Sequence, residues 1–313
     1  MKPVRRAVID VGTNSVKLLV ADVAGHEVQP VWEESKQTRL GRGFYESHRL
    51  QADSIDATGK AVAQFGETAR KYEASEIRVI ATSAARDAVN SGDLTSAIES
   101  ASGLKVEIIS GELEADWVFQ GVTTDPTLAN EPLLLLDVGG GSTEFIAGQG
   151  ENKWFRQSFS LGTVRLLEGN PPSDPPQKEE LERCRAWIRK FLEKEVKPVV
   201  ELNGLNNLNE GKSPTLVGTG GTTSILGRME AKLEAYDRAK IEATRLSRDR
   251  IHWHVEHLWS LPLDERKHVI GLPPNRADVI LMGVAIYEAI METFGFSELR
   301  ISTRGLRFAA VMK

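Results

Sequence analysis

The sequence predicts an α/β protein built from two units of similar design, and two observations carry this prediction. The first is an internal repeat, because the pattern of residues 6–21 returns at residues 132–147. In both copies an apolar run leads to an Asp, a glycine-containing turn with a Ser follows, and a second apolar run comes next. The second is the alternation of short apolar runs with segments of helical periodicity, which is typical of a sheet with helices on its faces.

Each copy of the repeat predicts a β-hairpin, because turn-forming residues lie between its two apolar runs. These residues are Gly and Asn in the first copy and three Gly in the second. After the first hairpin the sequence predicts, in order, a loop at 38–44, a helix at 54–72, a strand at 77–81, a helix from Thr82 through Ala97, a strand at 106–110 and a helix at 111–122. After the second it predicts a linker at 171–176, a helix at 177–201, a strand with a glycine turn and helix start at 215–223, an apolar helix at 277–294, and a strand, turn and short helix at 299–308. The repeat divides the chain into a first unit at 1–127 and a second at 128–302, with a terminal helix at about 303–313 as a candidate to pack back on the first unit.

Composition restricts the class of function. The net charge of −5 argues against general nucleic-acid binding, which usually requires a basic field. The chain has neither a long apolar run nor a charged leader with a cleavage site, so we expect a cytoplasmic protein without a membrane segment. The single Cys184 lies in a charged helical stretch, where an inert thiol is expected.

The two turns are the predicted location of the chemistry. Gly lets backbone N–H groups approach a ligand without a Cβ in the way, so glycine turns bind phosphate. Asp10 and Asp137 precede the two turns at matching offsets, where a carboxylate can hold a divalent cation directly or through water. The repeat therefore predicts a protein that handles phosphate groups and a metal ion.

Several motifs along nearly the whole chain resemble those of the exopolyphosphatases and guanosine pentaphosphate phosphatases, the Ppx/GppA family of the actin-like, sugar-kinase-like and Hsp70-like ATPase superfamily. They lie at residues 10–15, 39–43, 81–88, 110–115, 137–144, 160–165, 218–222 and 271–278. The resemblance implies two actin-like (ribonuclease H-like) lobes with a cleft between them. It also implies Mg²⁺-assisted hydrolysis, with Mn²⁺ as an alternative metal, of a terminal phosphoanhydride.

The resemblance assigns the catalytic carboxylate to Glu114, where a carboxylate could orient the attacking water. Glu112, two residues earlier, would point elsewhere on a helix. Glu144 stands where the first copy of the repeat has Lys17, and strands disfavour Glu, so we interpret it as a second catalytic carboxylate, in part on the resemblance.

The remaining candidates would bind phosphate or metal. Asp137 is the favoured metal ligand, with Asp10 as the second. The candidates for phosphate binding are Asn14, Ser15, Arg86, Gly140, Gly141, Ser142 and Thr143. Arg39 has weaker support, because arginines are common in loops. The motif at 218–222 is either a nucleotide site or a helix-entry turn with Gly for close packing. The cluster of His252, His254, Glu256 and His257 lacks the spacing of a metal site.

Three classes of function stay open at this point. The preferred one is an exopolyphosphatase that releases orthophosphate from inorganic polyphosphate, with guanosine pentaphosphate as the alternative substrate. A phosphotransferase of the same superfamily would require an acceptor pocket and a nucleotide at 218–222. A non-catalytic sensor of a phosphorylated alarmone is the third. The sequence does not determine chain-length preference or nucleotide regulation, and it leaves a homodimer open.

Overall fold

The computed structural model describes residues 2–203 and 213–313. The chain divides into a first unit, Met1–Pro126 with Arg304–Lys313, and a second unit, Thr127–Thr303. Each unit contains one sheet flanked by helices, so the fold class is α/β, as the sequence predicts. Within the described ranges no helix is long and apolar enough to cross a membrane.

The first unit is built on a five-stranded sheet of order β3-β2-β1-β4-β5. Its strands are β1 (Val4–Val11), β2 (Ser15–Ala24), β3 (Glu27–Gln37), β4 (Glu76–Ala81) and β5 (Val106–Ile108). The first three strands pair antiparallel and the last two join in parallel, so β1 is the centre of the sheet. The predicted first hairpin is confirmed.

Six helices of the first unit surround this sheet. They are α1 (Phe44–Ser47), α2 (Ala52–Lys71), α3 (Ser83–Asp87), α4 (Ser91–Ser102), α5 (Gly111–Val122) and, from the end of the chain, α14 (Leu306–Ala310). The approach of the chain end to α5 is very close: a Cβ on Gly121 would lie 2.0 Å from the backbone oxygen of Gly305. Only glycine at position 121 permits that contact.

One prediction for this unit is wrong. The segment from Thr82 through Ala97 forms two helices, α3 and α4, and not one. The break is fixed by Asn90, whose Oδ1 accepts from the Leu50 N–H at 2.8 Å and whose Nδ2 donates to the Leu50 oxygen at 3.1 Å. A tertiary contact thus interrupts a local helical pattern.

The second unit is built on a six-stranded sheet of order β10-β11-β9-β6-β7-β8. Its strands are β6 (Leu133–Val138), β7 (Thr143–Gln149), β8 (Asn152–Phe159), β9 (Thr215–Thr219), β10 (Arg245–Ser247) and β11 (Glu298–Ile301). Strands β6, β7 and β8 pair antiparallel, as β1, β2 and β3 do, and β9 joins β6 in parallel. The predicted second hairpin is confirmed, and the strand at the centre of each sheet leads into a glycine turn.

The helices of the second unit pack mainly around the long apolar helix near the end of the chain. They are α6 (Thr163–Gly169), α7 (Lys178–Phe191), α8 (Lys197–Asn203), α9 (Gly220–Glu230), α10 (Arg238–Ala243), α11 (Arg248–Ser260), α12 (Leu263–Arg266) and α13 (Ile280–Phe294). A π-helical turn, Leu192–Val196, joins α7 to α8, so the predicted helix at 177–201 is continuous. Helix α13 begins at Ile280, three residues later than predicted, after a 3₁₀ turn at Pro274–Arg276 and a further turn at 277–279. The residues of α13 up to Met291 are buried.

Candidate active site

The two glycine turns have the same backbone hydrogen bond at the same offset. In the first, the N–H of Gly12 donates to the oxygen of Ser15 at 3.0 Å. In the second, the N–H of Gly139 donates to the oxygen of Ser142 at 2.9 Å. The repeat in sequence is therefore a repeat in structure, with an aspartate as the penultimate residue of the preceding strand in each copy.

The first turn and the aspartate before it contain two buried polar atoms that lack a partner among the described residues. Among the described residues, Oδ1 of Asp10 and Nδ2 of Asn14 are buried and have no hydrogen bond, although Oδ1 of Asn14 accepts from Gln37 at 3.1 Å. Burial raises the pKa of the Asp10 carboxyl above its usual range, against the opposing attraction of Lys17 and Arg307. Buried polar atoms without partners are rare in folded proteins. An unpaired acceptor and an unpaired donor in one turn fit a site for a hydrated cation and a phosphate oxygen.

The second turn presents donors. The N–H groups of Gly140, Gly141 and Ser142 donate to no backbone carbonyl of the described residues. Successive N–H groups of this kind form a concave site that binds anions. Thr143 differs from the others because its side chain is fully buried and its hydroxyl donates to the oxygen of Leu161. That hydroxyl thus holds the turn in place.

Two carboxylates face each other beside the second turn. Asp137 on β6 lies directly opposite Glu144 on β7 in the antiparallel register. In the first unit the same register places Lys17 opposite Asp10. The interpretation of Glu144 as the residue that replaces Lys17 is therefore correct in three dimensions, and it changes an acid–base pair into an acid–acid pair.

Glu144 is 2% exposed, and two hydroxyls donate to one of its oxygens. Ser142 Oγ lies 2.8 Å and Ser158 Oγ 2.7 Å from Glu144 Oε1. Ser158 is opposite Glu144 in the β7–β8 register, and sequence reasoning missed it. The sequence places Ser158 in the strand that follows the hairpin, but its contact with Glu144 can be predicted only when the register between β7 and β8 is known.

Asp137 also lies against the motif at 218–222. A Cβ on Gly220 would lie 2.1 Å from Oδ1 of Asp137, and a Cβ on Gly218 would lie 2.8 Å from the hydroxyl of Tyr287. Gly220 has φ +86°, which also favours glycine. Burial raises the pKa of Tyr287 well above its usual range; its hydrogen bond with Thr223 opposes that rise and the Asp137 carboxylate adds to it. Close packing against Asp137 accounts for Gly220, and close packing against Tyr287 and Thr223 accounts for Gly218.

The first unit brings Arg86 and Glu114 together. Ser110 caps α5 through a hydrogen bond from the N–H of Leu113, and Glu114 is a buried residue of the first turn. Nη1 of Arg86 donates to Oε2 of Glu114 at 2.9 Å. Glu112 is exposed, as its position on the helix predicts. The predicted phosphate-binding cation and the predicted catalytic carboxylate are thus one ion pair.

The discounted residues have other contacts. Nε2 of His254 lies 2.8 Å from Glu230, and Nδ1 of His252 lies 2.7 Å from Glu288. In residues 2–203 and 213–313 no group of three or more His, Cys, Asp or Glu side chains is placed to hold a metal ion by itself. Burial raises the pKa of Cys184 to about 12, so its thiol stays protonated near neutral pH.

A glycine turn after an aspartate, present once in each of two α/β units, defines a phosphate-handling protein of the two-lobe actin-like class. The chain matches the Ppx/GppA phosphatase family over residues 19–311. It is 33% identical over 312 residues to Exopolyphosphatase 2 of Mycobacterium tuberculosis, an alignment that covers 95% of this chain and 94% of the relative. The crystal structure of the Aquifex aeolicus member of the family superposes with a TM-score of 0.79 at 28% identity, covering 99% of this chain and 97% of the other. An exopolyphosphatase-like protein superposes with a TM-score of 0.86 at 25% identity, covering 100% and 98%.

The chain belongs to the Ppx/GppA phosphatase family. Its two lobes have the actin-like fold of that family, and it is a phosphoanhydride hydrolase of that class.

Proposed function

We propose that this protein is an exopolyphosphatase, which releases terminal orthophosphate from inorganic polyphosphate by metal-assisted hydrolysis. The observation that carries the proposal is the pair Asp137 and Glu144, two carboxylates opposite each other beside a turn whose N–H groups donate to no backbone carbonyl of the described residues. Like charges in directly opposed positions of a sheet repel, so this arrangement favours a cation. The name of the similar mycobacterial protein, Exopolyphosphatase 2, supports the choice of substrate.

The metal we propose is Mg²⁺, with Mn²⁺ as an alternative. The donor set consists of oxygen atoms, which suits a hard cation that keeps part of its water shell. Asp137 would hold the ion, and Asp10, with its buried and unpaired Oδ1, is the second candidate. When bound, the ion would neutralise phosphate charge and polarise the bond to be cleaved.

The protein residues have separate roles in this proposal. Glu114 orients the attacking water and accepts its proton, and Arg86 holds the Glu114 carboxylate in position. Glu144, fixed by two serine hydroxyls, acts as the second carboxylate. The N–H groups of Gly140, Gly141 and Ser142 bind phosphate oxygens, and in the first turn Asn14 supplies an amide donor.

Guanosine pentaphosphate stays the alternative substrate, because its end also presents a chain of phosphates and the family includes phosphatases of both kinds. The phosphotransferase alternative loses its main support. The glycines at 218 and 220 are explained by packing against Tyr287 and Asp137.

The test is phosphate release by the purified protein with Mg²⁺, offered short polyphosphate, long polyphosphate, guanosine pentaphosphate or ATP. Glu114→Gln should lower the rate by about 100-fold or more, the usual contribution of a positioned acid or base. Glu112→Gln is the matched control, two residues earlier on the same helix and exposed, and it should keep the wild-type rate. Preference for the guanosine substrate would move the assignment to the alternative, and no release from any substrate would refute hydrolysis.

A further inference from the structure

The second glycine turn is held from behind by the segment that follows β8. The N–H of Thr163 donates to the oxygen of Gly139 at 3.0 Å, and the N–H of Val164 donates to the oxygen of Gly140 at 2.8 Å. The approach is close, since a Cβ on Gly162 would lie 2.4 Å from the oxygen of Gly140. Two carbonyls of the turn are therefore bound by the start of α6.

A side chain binds the third carbonyl. Nε of Arg165 donates to the oxygen of Gly141 at 2.9 Å. The backbone N–H of Arg165 also lies 3.1 Å from the oxygen of Gly140. Arg165 thus contacts two consecutive peptide groups of the turn, and its guanidinium is directed at a carbonyl oxygen.

These contacts determine where the N–H groups of the turn point. In a trans peptide the C=O and the N–H lie in one plane and point in opposite directions. With the oxygens of residues 139, 140 and 141 bound by residues 163–165, the N–H groups of residues 140, 141 and 142 point away from that segment. The last of them, the N–H of Ser142, belongs to the peptide that Arg165 holds.

In the first turn the corresponding carbonyls are bound by backbone N–H groups. The oxygen of Thr13 accepts from the N–H of Gly41 at 2.7 Å, and the oxygen of Asn14 accepts from the N–H groups of Thr38 and Arg39 at 3.2 and 3.0 Å. Asn14 occupies the position of Gly141 in the repeat. The bond from Arg165 therefore replaces, with a side chain, a contact that the first unit makes with its main chain.

We propose that Arg165 is a positioning residue whose Nε–H holds the Gly141 carbonyl and thereby aims the N–H of Ser142 at a phosphate oxygen of the substrate. This rests on the proposed phosphate-binding role of the turn. It differs from the simpler expectation for an arginine beside a phosphate site, in which the guanidinium contacts the phosphate itself. The two roles demand different properties of the side chain, a donor at one position or a positive charge.

Three substitutions separate the two roles. Gln places its Nε2–H₂ the same number of bonds from Cα as the Nε of Arg, so Arg165→Gln keeps the donor and removes the charge. Arg165→Met keeps a chain as long as the part of Arg from Cα to Nε and removes both the donor and the charge. Arg165→Lys keeps the charge and moves the donor one bond further out. Arg183→Met, at an exposed arginine on α7, is the matched control.

If Arg165 positions the turn, Arg165→Met should lose about 100-fold in kcat/KM, as when one donor to a developing charge is removed. Arg165→Gln should stay within about fivefold of wild type, since a neutral donor bonds roughly half as strongly as a charged one. Arg183→Met should be unchanged. Full activity of Arg165→Lys with loss in Arg165→Gln would overturn the proposal in favour of direct contact with substrate. Wild-type activity of all three Arg165 variants would refute the proposal, because the contact with Gly141 would then make no contribution to catalysis.

A second measurement does not depend on hydrolysis. In substrate-free protein labelled with ¹⁵N at Gly and Ser, the amide resonances of Gly141 and Ser142 should move in Arg165→Met and stay near their wild-type positions in Arg165→Gln. Unmoved resonances in Arg165→Met would refute the positioning role. If wild-type protein released phosphate from none of the substrates while these shifts appeared as expected, the proposed function would fail and the positioning of the turn would stand.

Discussion

Nη1 of Arg86 donates to Oε2 of Glu114 at 2.9 Å and to the backbone oxygen of Ile109 at 3.2 Å. The Glu114 side chain is 10% exposed and that of Arg86 is 23% exposed, so water screens the pair only in part. The bond to Ile109 fixes the guanidinium to the end of β5, just ahead of α5. The carboxylate that we propose as the general base therefore has its position set by a cation from another helix.

This arrangement predicts that Arg86 and Glu114 act as a unit. Arg86→Gln should lower kcat/KM by about 100-fold, and adding it to Glu114→Gln should lower the residual rate by less than about threefold, because groups that act together are not additive. The measurement is a double-mutant cycle on phosphate release. Arg70→Gln, at an exposed arginine of α2, serves as the control. Losses that multiply would show that Arg86 works independently of Glu114.

Ser158 should matter for both stability and activity. Ser158→Ala removes the hydrogen bond from the Ser158 hydroxyl to the buried Glu144 carboxylate, and a bond to a charged group contributes about 1.5–3 kcal/mol. We expect the denaturant midpoint and kcat to fall together, and Ser158→Thr, which keeps the hydroxyl, to restore most of both. Ser160→Ala removes an exposed serine just after the strand and should change neither. Equal behaviour of the two Ala variants would contradict this role.

The sequence predicts more of the fold than of the contacts within the site. The repeat predicts the two hairpins and the equivalence of Glu144 with Lys17, and the register of the second hairpin then places Glu144 opposite Asp137. The contact of Arg86 with Glu114 joins residues 28 positions apart, and no local pattern encodes it. Ser158 reaches Glu144 only through the register of a second strand pair.

One error in the predicted elements has the same origin. The helix expected from Thr82 through Ala97 breaks because Asn90 binds the backbone of Leu50, which lies 40 residues away. Local periodicity cannot show such a contact. The roles of the individual site residues stay predictions, which the substitutions proposed for them would test.

Gly220 should not tolerate a side chain. In Gly220→Ala the new Cβ would lie 2.1 Å from Oδ1 of Asp137, and φ +86° is strained for any residue with a Cβ. We expect the Asp137 carboxylate to be displaced, with loss of activity and a lower unfolding midpoint. Gly92→Ala in α4, where nothing lies within 4 Å, should be neutral or stabilising by up to about 1 kcal/mol. An active Gly220→Ala variant would show that the position of Asp137 is not critical.

The buried His254 should make stability depend on pH. Burial lowers the pKa of His254 below its usual 6.5, against the opposing effect of Glu230. The unfolded chain therefore takes up a proton near pH 6.5 that the folded protein takes up only at lower pH, so stability is present above that pH and falls as the pH drops below it. Thermal unfolding between about pH 7.5 and 5 should show the decline in wild type, a weaker decline in His254→Gln, and the wild-type decline in His26→Gln, at an exposed histidine of the first unit. A wild-type midpoint that is flat over this range would contradict the prediction.

Asp10→Asn should raise the stability of the metal-free protein and abolish phosphate release. The variant keeps the shape of the side chain but replaces a buried carboxylate, whose Oδ1 has no partner and whose pKa is raised by burial, with a neutral amide. With a chelator present at neutral pH, its unfolding midpoint should therefore lie above that of wild type. Added Mg²⁺ should raise the wild-type midpoint more than that of the variant, because the ion stabilises only the state that binds it. Asp22→Asn is the control: it breaks the ion pair with Arg5, so it should unfold earlier than wild type and respond to Mg²⁺ as wild type does. The assignment of Asp10 to the metal site would be wrong if the unfolding midpoint of wild type did not change with Mg²⁺ and Asp10→Asn were no more stable than wild type.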